Sequence, residues 1–78
     1  MMTLDIIISL LCEVISASEN DLSGRTPLTP EYDIEPIDIA KLMIEIEKRF
    51  EVTIHDEDVH TFQTVNDVVK YVDALIAE

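Results

Sequence analysis

Apolar residues between Leu4 and Ile15 recur with the period of a helix. At about 100° per residue, Leu4, Ile7, Ile8, Leu11, Val14 and Ile15 share one side, and Asp5, Ser9, Glu13 and Ser16 fall largely opposite. The block is about three turns long, which outweighs the strand propensity of Ile6-Ile7-Ile8 and predicts an amphipathic helix. The periodicity stops between Ser18 and Glu35, where Asn20, Asp21, Ser23, Gly24, Pro27 and Pro30 bring turn chemistry. Long connections are uncommon in small domains. Leu22, Leu28 and Tyr32 are therefore expected to anchor this one across the helices.

A second helix is predicted from Pro36 to about Phe50, because proline's fixed φ suits the first helical position and its missing N–H would be unpaired there anyway. Ile39, Leu42, Met43, Ile46 and Phe50 cluster as its core face. A second apolar line, Ile37, Ala40 and Ile44, lies roughly opposite, among Asp38, Lys41, Glu45, Glu47 and Lys48. If the first cluster faces inward, this line faces out as a candidate docking strip; the alternative is a helix covered on both sides. Glu51 to Ile54 reads as a short extended link, and His55 to Phe62 as an acidic stretch with one or two turns of helix. The last apolar segment puts Val65, Val68, Val69, Val72, Leu75 and Ile76 on one face, behind a capping box at Thr64-Val65-Asn66-Asp67. These elements predict one all-α domain over residues 1–78, with three main helices, a short third helix in the set of four, and a long loop after the first.

Composition narrows what such a domain does. Seventy-eight residues leave room for one module and few groups for a deep active site. Seventeen acidic residues against five basic ones give a net charge of −12, which disfavours nucleic acid and anionic membranes and favours a basic protein partner. One cysteine permits no internal disulfide, and the apolar N-terminal run has no basic flank, so a cytoplasmic protein is expected; the small size goes with a chain that is not an enzyme, and a monomer is expected.

Several stretches carry a family resemblance. Glu35-Pro36-Ile37-Asp38 stands where the acyl carrier proteins have Asp-Ser-Leu-Asp, followed by Leu42 and Glu47-Lys48-Arg49-Phe50. Val52-Thr53-Ile54-His55-Asp56-Glu57-Asp58 and Phe62-Gln63-Thr64-Val65-Asn66-Asp67 look like that family's link, third helix and start of the final helix. The chain resembles this family from about Leu4 to Leu75, which implies the carrier-type four-helix bundle. Family members hold an acyl or similar group as a thioester on a phosphopantetheine arm, attached through the motif serine. The resemblance puts Pro36 at that position, and proline has no hydroxyl. The backbone tolerates it, since proline fits the first turn and drives Glu35 toward extended geometry. Of the four serines, Ser9 and Ser16 fall on the first helix and Ser18 and Ser23 after it, so none substitutes.

The resemblance also implies a docking face at Glu35, Ile37, Asp38, Ala40, Lys41, Ile44, Glu47 and Lys48. Positions matching Lys41 and Lys48 are commonly acidic in the family and meet basic patches, so their reversed sign disfavours those partners. The expected function is a carrier-like module, without cofactor at Pro36, that docks on a protein of fatty-acid, polyketide or related biosynthesis. The alternatives are a working acyl or peptidyl carrier whose loading serine is substituted in this chain or replaced by another residue, and a subunit unrelated to acyl transfer. His55 and His60 stand five apart, about 140° apart on a helix, and predict no metal site. Cys12 reads as a partly buried structural thiol. Tyr71 reads as packing on a helix flank.

Overall fold

The computed structural model describes residues 2–32 and 34–77. It is all-helical: α1 (Thr3–Ile15), α2 (Pro36–Phe50), α3 (Asp56–Val59) and α4 (Val65–Ala77), with short 3-10 turns at Glu19–Asp21 and Pro30–Tyr32. α1 lies against both α2 and α4. Ile7 and Leu11 of α1, Leu42 and Ile46 of α2, and Val65, Val68 and Val72 of α4 are wholly buried between them. Each comes from the face that its apolar spacing marks, because a helix of this kind is stable only when its stripe is covered.

Both long helices preceding a loop end in the same way. Ser16 and Glu51 adopt the left-handed conformation (φ 57° and 56°), and the N–H groups of Ala17 and Val52 return to the carbonyls of Cys12 and Glu47. Ser16 is thus a C-cap and not a helical residue. The segment after α2, predicted to be extended throughout, begins instead with this reversal at Glu51, since the last carbonyls of α2 need donors.

The long loop is ordered by α4. The N–H groups of Val65 and Asn66, which no helical carbonyl can take, donate to Thr26 O (3.1 Å) and Gly24 O (2.8 Å), and Leu28 N–H donates to Gln63 O (2.9 Å). Pro27 and Thr64 form an isolated antiparallel bridge there. Gly24 is buried so close to α4 that a Cβ on it would fall on the Asn66 amide. Asp67 completes the start of α4 by accepting the Gln63 and Thr64 N–H groups at 2.9 and 3.1 Å. These two bonds are the main reason its carboxyl is held below the usual range.

Two expectations about side chains are corrected. Leu28 is buried and Leu22 half-buried, but Tyr32 is 58% exposed and Ile34 takes the interior place. Thr29 O accepts both Tyr32 N–H and Ile34 N–H, and this turn throws residue 32 outward and residue 34 in. Ile76, predicted on the core face of α4, is 49% exposed. Thr3, the first residue of α1, already meets Asp73 through its hydroxyl (2.5 Å), so α4 runs on beyond the end of α1.

Candidate functional site

α2 starts at Pro36 in the first helical position, after Glu35 in extended geometry (φ −82°, ψ 159°). Asp38 Oδ2 accepts the Glu35 N–H at 3.1 Å, and Asp38 N–H donates to Glu35 O at 2.9 Å. A carboxylate in the first turn also suits the positive end of the helix dipole. The outer face carries Ile37 (63% exposed) and Ile44 (49%), with Ala40, Lys41 and Lys48 exposed beside them, while Leu42, Met43 and Ile46 are buried on the opposite side. The expected outward strip is therefore uncovered in this chain. Glu35 is exposed as well, whereas Asp38 and Glu47 are half-buried.

An open groove of about 720 Å³ runs between α2 and α3, bounded by Pro36, Ile39, Ala40, Met43, Ile44 and Glu47 on one wall and by Ile54, Asp56, Val59, His60 and Phe62 on the other. Pro36, the first residue of α2, is among its lining. Three ties hold α3 in place. Glu47 Oε2 accepts the Ile54 N–H at 2.9 Å, fixing the link. Tyr71 on α4 donates its hydroxyl to Asp58 Oδ2 at 2.7 Å. The rings of Phe62 and Tyr71 meet edge to face with centroids 5.2 Å apart, as the flank-packing reading of Tyr71 expects. The bond to Asp58 is the main cause, and burial the second, of the Tyr71 phenol lying above its ordinary value.

The groove was not anticipated from sequence. Its signals were faint: Ile39 and Met43 at the flank of the α2 core face, and Val59 as the one apolar residue of α3. The remaining candidates sit apart from it or at its edge. His55 precedes α3 and His60 follows it, both exposed, and among the described residues no three His, Cys, Asp or Glu side chains converge as metal ligands. Cys12 is half-buried in α1; burial first, then the carboxylates of Glu19, Asp21 and Glu13, push its thiol up and keep it protonated. Among the described residues no helix is long and apolar enough to cross a membrane.

Comparison with known proteins decides the family. The profile of the phosphopantetheine attachment site matches residues 5–72. The acyl carrier protein of Phytoplasma australiense is 32% identical over 76 residues, covering 97% of this chain and all of that protein. The chain belongs to the acyl carrier protein family. Acyl carrier proteins of Clostridium perfringens (29% identical; 81% of this chain, 83% of theirs) and Helicobacter hepaticus (26%; 92% and 95%) are similar over most of their lengths.

Phosphopantetheine is the group this family implies, and the resemblance puts its attachment at the start of α2, where it needs an oxygen nucleophile. The residues present there do not supply one. From residue 33 through Val52 the chain has no serine, threonine, tyrosine or cysteine. The flanking hydroxyls are those of Tyr32, in the turn before α2, and Thr53, in the link after it. Pro36 itself has neither a hydroxyl nor a backbone N–H.

Proposed function

We propose that this chain is a carrier-fold module that is not charged with phosphopantetheine at Pro36. It catalyses nothing itself and acts by docking α2 on a protein partner in fatty-acid, polyketide or related biosynthesis. One observation carries the reading: a helix start that keeps the geometry of the fold but has lost every side-chain hydroxyl, next to an uncovered apolar strip at Ile37, Ala40 and Ile44. The fold depends on neither a serine at residue 36 nor a cover over Ile44, so chemistry and stability separate here. The setting that goes with this role is a cytoplasmic monomer that, at a net charge of −12, leaves nucleic acid and anionic membranes alone.

The test is direct. The chain is incubated with coenzyme A and a broad-specificity phosphopantetheinyl transferase, and its intact mass is measured. No change is expected, and gain of one arm overturns the reading. The family match favours one competing reading, a working carrier loaded at another residue, and the same mass spectrum decides between them. Pro36→Ser supplies the missing nucleophile. Loading of that variant shows that the surrounding surface still serves a transferase, and failure shows that the recognition face has diverged as well.

A further inference from the structure

The groove wall that contains α3 hangs between two buried residues. Ile54 (8% exposed) and Phe62 (9%) belong to the core, and between them residues 55–61 are exposed, apart from the half-buried Asp58 and Val59. Both ends are fixed without help from α3: the Ile54 N–H by Glu47, and the Phe62 ring by its edge-to-face contact with Tyr71. In the middle, Val59 alone packs against the core. The extensive helix pairings are those of α1 with α2 and α4, and α3 has no part in them.

The charges of this stretch work against its place over the groove. Asp56, Glu57 and Asp58 are consecutive, Glu47 stands on the facing wall, and among the described residues none of the four has an ion pair. The backbone bonds inside the stretch, from Asp58 N–H to His55 O and from Thr61 N–H to Asp58 O, shape its single turn and tie it to nothing else. One side-chain hydrogen bond reaches from the middle of the stretch to the bundle. Asp58 Oδ2 accepts the Tyr71 hydroxyl at 2.7 Å in a half-buried setting, where a charged acceptor strengthens the bond.

We propose that residues 55–61 form a strap that swings away from α2 while the three long helices stay folded, and that the Tyr71–Asp58 bond is its latch. Opening takes Asp56, Val59 and His60 off the groove and leaves Ile39, Ala40, Met43 and Ile44 as an open face of α2; closing restores the groove. A stretch with little buried apolar surface between two fixed ends opens at a fraction of the free energy of global unfolding. Tyr71 is not part of the groove lining, so the latch governs the groove from outside, without touching what fills it. The strap stands on these contacts alone and does not depend on whether α2 docks on a partner.

Native-state hydrogen exchange on the full chain, followed by NMR, tests this. In the wild type the Asp58 and Thr61 N–H groups should exchange through an opening far easier than global unfolding, while the amides of Leu42, Ile46 and Val68 exchange only with the whole fold. Tyr71→Phe keeps the ring against Phe62, removes the hydroxyl, and should speed exchange of the two strap amides about five- to tenfold. The core amides should quicken no more than the change in global stability, measured by urea unfolding, requires. The Met43 methyl on the facing wall should change its shift or show relaxation dispersion in the same variant. Asp58→Ala, alone and combined with Tyr71→Phe, completes a double-mutant cycle, in which the second substitution should add little once the first is present. Equal acceleration of strap and core amides would mean that the bond supports the whole bundle, and unchanged strap exchange in Tyr71→Phe would mean that it is no latch. Either result overturns the proposal, as do additive effects in the cycle or a Met43 methyl that ignores a faster strap.

Discussion

Replacing Gly24 with alanine sets two effects of opposite sign against each other. No glycine of this chain has positive φ, so alanine fits the backbone, and the smaller conformational freedom of its unfolded state would by itself stabilise the fold by about 0.4–1 kcal/mol. Against this, the new Cβ would fall within 3.0 Å of Cγ, Oδ1 and Nδ2 of Asn66. The two backbones cannot simply part, because Gly24 O accepts the Asn66 N–H at 2.8 Å. Relief needs Asn66 to leave its rotamer or that hydrogen bond to stretch, each costing about 0.5–1.5 kcal/mol. At the midpoints of these ranges the obstruction slightly outweighs the entropy, and Gly24→Ala should destabilise by about 0.3 kcal/mol, lowering Tm by about 1–2 °C in a domain of this size. Urea and thermal unfolding followed by far-UV circular dichroism read this. Asn66→Ala supplies the control: with the amide gone, Gly24→Ala should turn stabilising by about 0.4–1 kcal/mol. A gain in stability with Asn66 present, or the same effect in both backgrounds, would refute the reasoning.

Two further predictions concern stability. Ile46→Ala, at a wholly buried position, should cost about 2–5 kcal/mol, whereas Ile44→Ala, two residues away on the outer face, should stay within about 0.5 kcal/mol, as denaturant midpoints will show. Equal losses would mean that Ile44 is core. The pH profile should fall at both ends. Asp67 is held below its usual range by its two backbone donors, so its contribution is present above the unfolded carboxyl value and lost as pH falls through the folded one; Asp67→Ala should flatten that acid limb. Tyr71 is raised by its bond to Asp58, so its contribution is present below the ordinary phenol value and lost as pH rises through the folded one; Tyr71→Phe should remove this alkaline loss. Thermal unfolding across pH checks both, and unchanged limbs in the variants would dissociate these groups from the profile.

How far the site could be read in advance depended on the kind of residue. Pro36, Ile37, Ala40 and Ile44 were legible because capping chemistry and helical phase are properties of one short stretch of chain. Asp38 and Glu47 looked like surface charges of a docking face, yet both spend their carboxylates on backbone N–H groups, Glu47 on one seven residues away at Ile54. The groove walls were harder still. Val59, Phe62 and Ile54 come together with Met43 through contacts distant in sequence: Ile54 N–H on Glu47, Phe62 packed on Tyr71, and Asp58 bonded to Tyr71, thirteen residues on in α4.

By itself the sequence determined the four helical segments, the faces they bury and the acidic surface, since periodicity and charge are written residue by residue. It also determined that no hydroxyl or thiol lies between residue 33 and Val52, a covalent fact that folding cannot alter. Only the tertiary structure decided that Ile34 and not Tyr32 enters the core, and that the end of α4 passes beyond α1 and leaves Ile76 in solvent. It also decided that the α4 N-terminus is completed by carbonyls of the long loop at Gly24 and Thr26. Each of these depends on which distant group stands opposite, because burial and hydrogen-bond satisfaction are properties of pairs brought together by packing.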